Sequence, residues 1–222
     1  MAVLHISEKF LLTAFNDKGK ISSLNISIPI CTLAAGIIDL YLDGCLVIHE
    51  DHSVELVDDL CEEHSHLQSL YQYLQGAKGK KIQKITKEYT MSVSTSRIRK
   101  LTKDIVKSLM EKECGTVKKN ILKKNKTLFI SNKNEIQKII YDVKESILEQ
   151  DQASVETFAL ASLLDKSALL KPFLSKEEIE AIKNRIAKEK KQTEDLQMKT
   201  ALQVIDEVMT VFSDVTGFSK NK

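Results

Sequence analysis

SIPICTLAAGIIDLYLDG, residues Ser27 to Gly44, is the stretch that decides the fold. Pro29 suits a first helical turn, because its ring presets φ and its missing N–H would have no partner there. Gly44 suits the position just past a helix end, where a left-handed residue is needed. Between them the residues are apolar nearly all round, and a helix with no polar face must be covered on every side. The stretch therefore predicts a central buried helix wrapped by other elements.

On its C-terminal side, CLVIHEDHSVELV gives two short β-prone runs separated by HEDHS, a hairpin pattern. On its N-terminal side, Ser7 is placed to cap a short helix through EKFLLTAF, which ends at the turn NDKG with Gly19 as terminator. Further along, Leu67, Leu70, Tyr71 and Leu74 mark a helix after a polar CEEHSH loop. Gly76 and Gly79 break that helix, and a short basic helix, KKIQKITKEY, follows.

The clearest periodicity lies in SRIRKLTKDIVKSLMEKECG. Ile98, Leu101, Ile105 and Leu109 recur at helical spacing, while Arg99, Lys100, Lys103 and Lys107 fall on the opposite side. Gly115 is read as the end of this helix. Thr116 to Ser131, TVKKNILKKNKTLFIS, then reads as strand, KKNK turn and strand. A helix feeding a hairpin thus occurs twice, and the second copy carries the lysines. The last third is helical. Asn132 with Glu135 and Ser175 with Glu178 look like capping pairs. Phe158, Leu160, Leu163 and Leu164 lie between them, and Leu202, Ile205, Val208, Met209 and Phe212 form a final apolar stripe.

The fold class expected is mainly α: a helical bundle with surrounding amphipathic helices and two small β-hairpins. The chain has 222 residues and 42% hydrophobic content, with only 7 Gly and 2 Pro for linkers, so a single domain over residues 4–218 is expected. MAVLHISEKF lacks the basic and apolar regions of a signal peptide, and no apolar run is long enough to cross a bilayer. These features predict a cytoplasmic protein. Cys31, Cys45, Cys61 and Cys114 are scattered and read as reduced.

The formal net charge of +2 hides an asymmetry. From Gly76 to Lys133 there are 17 Lys or Arg against 4 Asp or Glu, a balance of +13, and the rest of the chain carries −11. Three chemistries fit that pattern. A basic helix followed by a two-stranded ribbon is what a winged helix offers to nucleic acid. Against this, the segment is poor in the Arg, Asn and Gln side chains that read base edges. His49, His52, Cys61, His64 and His66 gather within a short span and invite a metal reading. Neither spacing matches a familiar zinc motif, so exposed loop histidines and no metal are expected. No phosphate-cradling glycine loop, nucleophile elbow or HExxH is present. Glu62 with Glu63 and Glu177 with Glu178 read as loop and helix-start charges, so no catalytic residue, enzyme activity or cofactor is expected. The third chemistry is an anionic membrane surface.

That third reading gains from a resemblance. LHISEKFLLTAFNDKGKISSLNISIPICTLAAGIIDLYLDGCLVIHEDHSVELVDD resembles the opening of the Golgi phosphoprotein 3 family: a leucine-rich helix, a D-x-x-G turn, and an apolar helix running through L-x-G-x-L into a strand. The likeness continues through LTKDIVKSLMEKECGTV and AIKNRIAKE and spans Leu4 to Phe218. The resemblance implies one mainly helical domain with an exposed hairpin. It also implies a peripheral membrane adaptor that binds phosphatidylinositol 4-phosphate and gathers the cytosolic protein tails of glycosyltransferases, and that can form homo-oligomers.

Eukaryotic members build their headgroup pocket from a tryptophan and several arginines. This chain has no Trp; Leu33 stands before the buried helix where an arginine is usual, Arg99 matches one pocket arginine, and Thr102 stands where the next would be. With 30 Lys against 3 Arg, the composition suggests a bacterial homologue, for which phosphatidylglycerol or cardiolipin replaces the phosphoinositide.

The expected lipid-binding residues are Arg99, Lys100, Lys103, Lys107, Lys118, Lys119, Lys123, Lys124 and Lys126. Ile121, Leu122, Leu128 and Phe129 are the expected membrane-insertion residues. Lysine is a hydrated point charge that suits a diffuse anionic surface.

Overall fold

The computed structural model describes residues 3–90, 96–120, 126–150 and 153–216. Among them are nine α-helices and two antiparallel two-stranded ribbons, the mainly α class that the sequence predicts. In chain order the elements are α1 (Ile6–Ala14), α2 (Ser27–Leu42), β1 (Leu46–Ile48), β2 (Val54–Leu56), a 3₁₀ segment (Glu62–Leu67), α3 (Gln68–Gln75), α4 (Ile82–Thr90) and α5 (Ser96–Glu111). They continue as β3 (Gly115–Asn120), β4 (Lys126–Ser131), α6 (Lys133–Leu148), α7 (Val155–Lys166), α8 (Lys176–Gln192) and α9 (Leu196–Thr216).

The helix α2 is central, as its composition requires. It packs on α1, α4, α5, α7 and α9 and on β1, and nine of its apolar side chains from Ile28 to Leu40 are buried. Gly44 follows it at φ +80. One carboxylate is buried with them: Asp39 is 4% exposed and accepts hydrogen bonds from the Ile6 N–H (3.0 Å) and the Ser7 N–H (2.9 Å). It thereby satisfies donors that the first turn of α1 leaves without helical partners.

That interaction corrects the expected cap. Ser7 lies inside α1 and its hydroxyl meets His66 Nε2 at 3.1 Å, while His5 takes the cap position and its N–H donates to Glu8 at 2.9 Å. At the end of α5 the correction runs the other way along the chain. Glu113, at φ +58, makes the reversal, and Gly115 already belongs to β3. Ser175 with Glu178 closes the expected capping box on α8. The Asn132 side chain caps α6 through the Asn134 N–H at 3.0 Å.

The β3–β4 ribbon is fastened to the body at its base. Phe129 meets Phe15 with ring centroids 5.1 Å apart, and the Ser131 hydroxyl donates to the Leu12 carbonyl at 3.2 Å. Gly19, at φ +65, runs so close that a Cβ there would lie 2.4 Å from the Phe129 carbonyl oxygen. Only glycine fits such a position.

Candidate functional site

The cationic residues of α5 follow from its periodicity. Ile98, Leu101, Ile105 and Leu109 are buried, so Arg99, Lys100, Lys103 and Lys107 must point outward, and all four are exposed. At about 100° per residue they lie within one arc of roughly 100°. Lys107 pairs with Glu111 at 3.5 Å. Arg99, Lys100 and Lys103 take no ion pair among the described residues, and neither does exposed Lys118 on β3.

Other members of the basic segment are already engaged. Lys78 pairs with Glu55, Lys80 with Glu88, Lys87 with Asp214 and Lys133 with Asp17. Arg97 lies over the Tyr73 ring at 5.0 Å and donates to the Glu88 carbonyl. Lys112 turns inward to Glu8. The local imbalance is therefore partly internal bookkeeping; exposed cations of the segment without an ion pair among the described residues include Lys81 and Lys84 at α4 as well as those on α5 and β3.

The hairpin residues divide. Lys119 and Lys126 pair across the ribbon with Thr127 and Asn120. Ile121, Leu122, Lys123 and Lys124 lie outside the described residues. Leu128 is half-buried. Phe129, expected to enter a bilayer, is instead 5% exposed against Phe15, because β4 is the strand that leans on α1. Leu33 also needs correction, since it lies within α2 and is fully buried. Beside the ribbon's base is a cleft of about 580 Å³ whose lining includes Phe15, Ile28, Phe173, Lys20 and Lys133.

The sequence reading missed a buried polar cluster behind α5. Glu8, with none of its surface exposed, receives Lys112 Nζ at 2.6 Å, the Ser108 hydroxyl at 2.7 Å and the His5 N–H. Burial alone would raise its carboxyl pKa, but His66 and these donors together hold it below the usual carboxylate value. CEEHSH, expected as a loop with exposed histidines, is a 3₁₀ segment with His64 4% and His66 3% exposed. The His5 ring is stacked on His66 and tilted against His64, and burial pushes His66 down to about 4. The helical register of Ser7, Glu8 and Lys112 carries no motif, so only the tertiary approach of α1 to α5 reveals the cluster.

The same segment brings four further groups together. Cys61 Sγ donates to Asp43 Oδ2 at 3.2 Å and Cys45 Sγ to the same oxygen at 3.4 Å, with His64 Nε2 3.8 Å from Asp43 Oδ1. Burial and the neighbouring carboxylate raise the Cys45 thiol to about 11.

No helix among the described residues is long and apolar enough to cross a membrane. A search of curated proteins returned no match. The family model described as Golgi phosphoprotein 3 (GPP34) matches residues 6–208, from the first residue of α1 into α9. With nearly all of its described fold inside that match, the chain belongs to the Golgi phosphoprotein 3 family.

Proposed function

We propose that this chain is a peripheral membrane adaptor, a single Golgi phosphoprotein 3-like unit over residues 4–218, that binds anionic phospholipid through α5 and the β3–β4 ribbon. The observation that carries this reading is the set of unpaired, exposed cations Arg99, Lys100 and Lys103 on one face of a helix that leads into the ribbon bearing Lys118. The proposed lipid-binding set also includes Lys107, Lys119, Lys123, Lys124 and Lys126, and the proposed apolar contacts are Leu128, Ile121 and Leu122. Family membership supports an adaptor of this general kind.

Near an anionic leaflet each Lys or Arg contributes on the order of 1 kcal/mol. Four free cations therefore give micromolar-class adhesion only with help from the ribbon, and that adhesion weakens with salt because the Debye length is about 8 Å at physiological ionic strength. Lysine predominance favours a diffuse charged surface over a fork-like grip on one phosphate. The ligand is thus anionic lipid as a class, phosphatidylglycerol or cardiolipin included, with protein tails as the adaptor's cargo on the cytoplasmic side.

Vesicle flotation tests it. The protein should float with phosphatidylglycerol vesicles at low salt, stay behind with pure phosphatidylcholine, and be released by high salt. A parallel arm with phosphatidylinositol 4-phosphate reads headgroup preference. Equal partition onto neutral and anionic vesicles would overturn the proposal.

A further inference from the structure

We propose that Asp43, Cys61 and His64 form a site for one zinc-class divalent ion, closing the α2–β1 turn onto the 3₁₀ segment. The chemistry of the set suits zinc: a thiol, an imidazole and a carboxylate are each among its usual donors. Neighbouring ligand atoms around such an ion lie roughly 3.3 to 3.8 Å apart, given bond lengths of about 2.0 to 2.3 Å. Cys61 Sγ lies 3.2 Å from Asp43 Oδ2 and His64 Nε2 lies 3.8 Å from Asp43 Oδ1. The Asp43, Cys61 and His64 ligand atoms all fall within 4.8 Å of one another. The His64 separation is too long for a hydrogen bond and only roughly a few tenths of an ångström beyond the spacing of a nitrogen and an oxygen ligand on one ion.

Backbone geometry prepares the site. Gly44, at φ +80, lets the chain reverse immediately after Asp43. Cys61 and His64 come from the start of the 3₁₀ segment, where His64 departs from helical geometry at φ −99, ψ 15. The His64 ring is held by burial and by His5, whose ring centroid is 4.2 Å away. Asp43 is exposed and Cys61 partly so, which leaves an entry path. When the ion binds, the Cys61 thiol proton leaves to solvent and a metal–sulfur bond replaces its S–H···O hydrogen bond to Asp43. Three protein ligands leave the fourth position to water, and the ion ties the α2–β1 turn to the 3₁₀ segment.

The test uses the full chain without a histidine tag, kept in a non-thiol reductant. Zinc is titrated in competition with a chromophoric chelator, and cobalt is substituted as a spectroscopic probe. One zinc per chain should bind with sub-micromolar affinity, and cobalt should show thiolate-to-metal charge transfer. Zinc should also raise the thermal midpoint. Cys61→Ser and Asp43→Asn, both at solvent-accessible positions, should each weaken binding by more than the 10–100-fold that outer-shell changes typically cost. Cys114→Ser, a thiol outside the site, should leave binding unchanged. Zinc affinity weaker than millimolar, a cobalt spectrum without sulfur bands, or equal binding by Cys61→Ser would overturn the proposal.

Discussion

Lys112 Nζ lies 2.6 Å from Glu8 Oε2, and this ion pair joins the end of α5 to the first turn of α1 with the carboxylate wholly buried. The Lys112 ammonium also donates to the Val3 carbonyl at 3.0 Å, so one side chain ties down the segment that precedes α1.

Removing one partner strands the other charge in a dry site. Lys112→Met is expected to lower unfolding free energy by about 3–5 kcal/mol, the usual cost of an orphaned buried charge. Glu8→Gln combined with Lys112→Met should recover part of that loss. Urea unfolding of the two single variants and the double measures the coupling, and strictly additive losses would show that the pair acts as two independent contacts.

Asp39 sets a pH dependence of opposite sign to a surface carboxylate. Burial, reinforced by the nearby Glu8 charge, lifts its carboxyl to about 7 despite the Ile6 and Ser7 donors. The folded chain therefore holds this proton more tightly than the unfolded chain, whose value is about 3.9. The stabilisation is complete below that unfolded value and is lost as pH rises through about 7. His66, reached through Ser7, titrates in the opposing sense, so the reading must be a difference. Thermal midpoints of the native chain should fall relative to Asp39→Asn across that interval, and parallel curves would contradict the assignment.

Lys100 and Lys103 are exposed and unpaired, so their loss should touch docking and leave folding alone. Lys100→Glu with Lys103→Glu removes at least about 2 kcal/mol of attraction to an anionic leaflet, or roughly 30-fold in vesicle affinity. Circular dichroism melting should be unchanged. Undiminished flotation would exclude the α5 face.

Phe129→Ala separates core from insertion. A buried phenylalanine truncated to alanine costs about 3–5 kcal/mol. The variant should therefore unfold at markedly lower denaturant, whereas Leu128→Ser should act mainly on vesicle binding. A Phe129→Ala chain of native stability would return that ring to the membrane-facing set.

The sequence made the helices legible where a single period governed them. Ile98, Leu101, Ile105 and Leu109 announced both the buried side of α5 and its cationic side, and Pro29 with Gly44 bracketed α2. What stayed hidden depended on approach between distant segments. Asp43 is separated from Cys61 and His64 by the whole β1–β2 ribbon, so no linear spacing suggests their meeting. Phe129 reads as either face of a strand until α1 supplies Phe15. His66 looks polar and exposed until Ser7 appears beside it.

Gly19 has one more consequence. A ribbon clamped by the turn at its root, with no room for even a methyl group, cannot swivel freely like a tether. Its base and the turn after α1 must therefore shift as one piece.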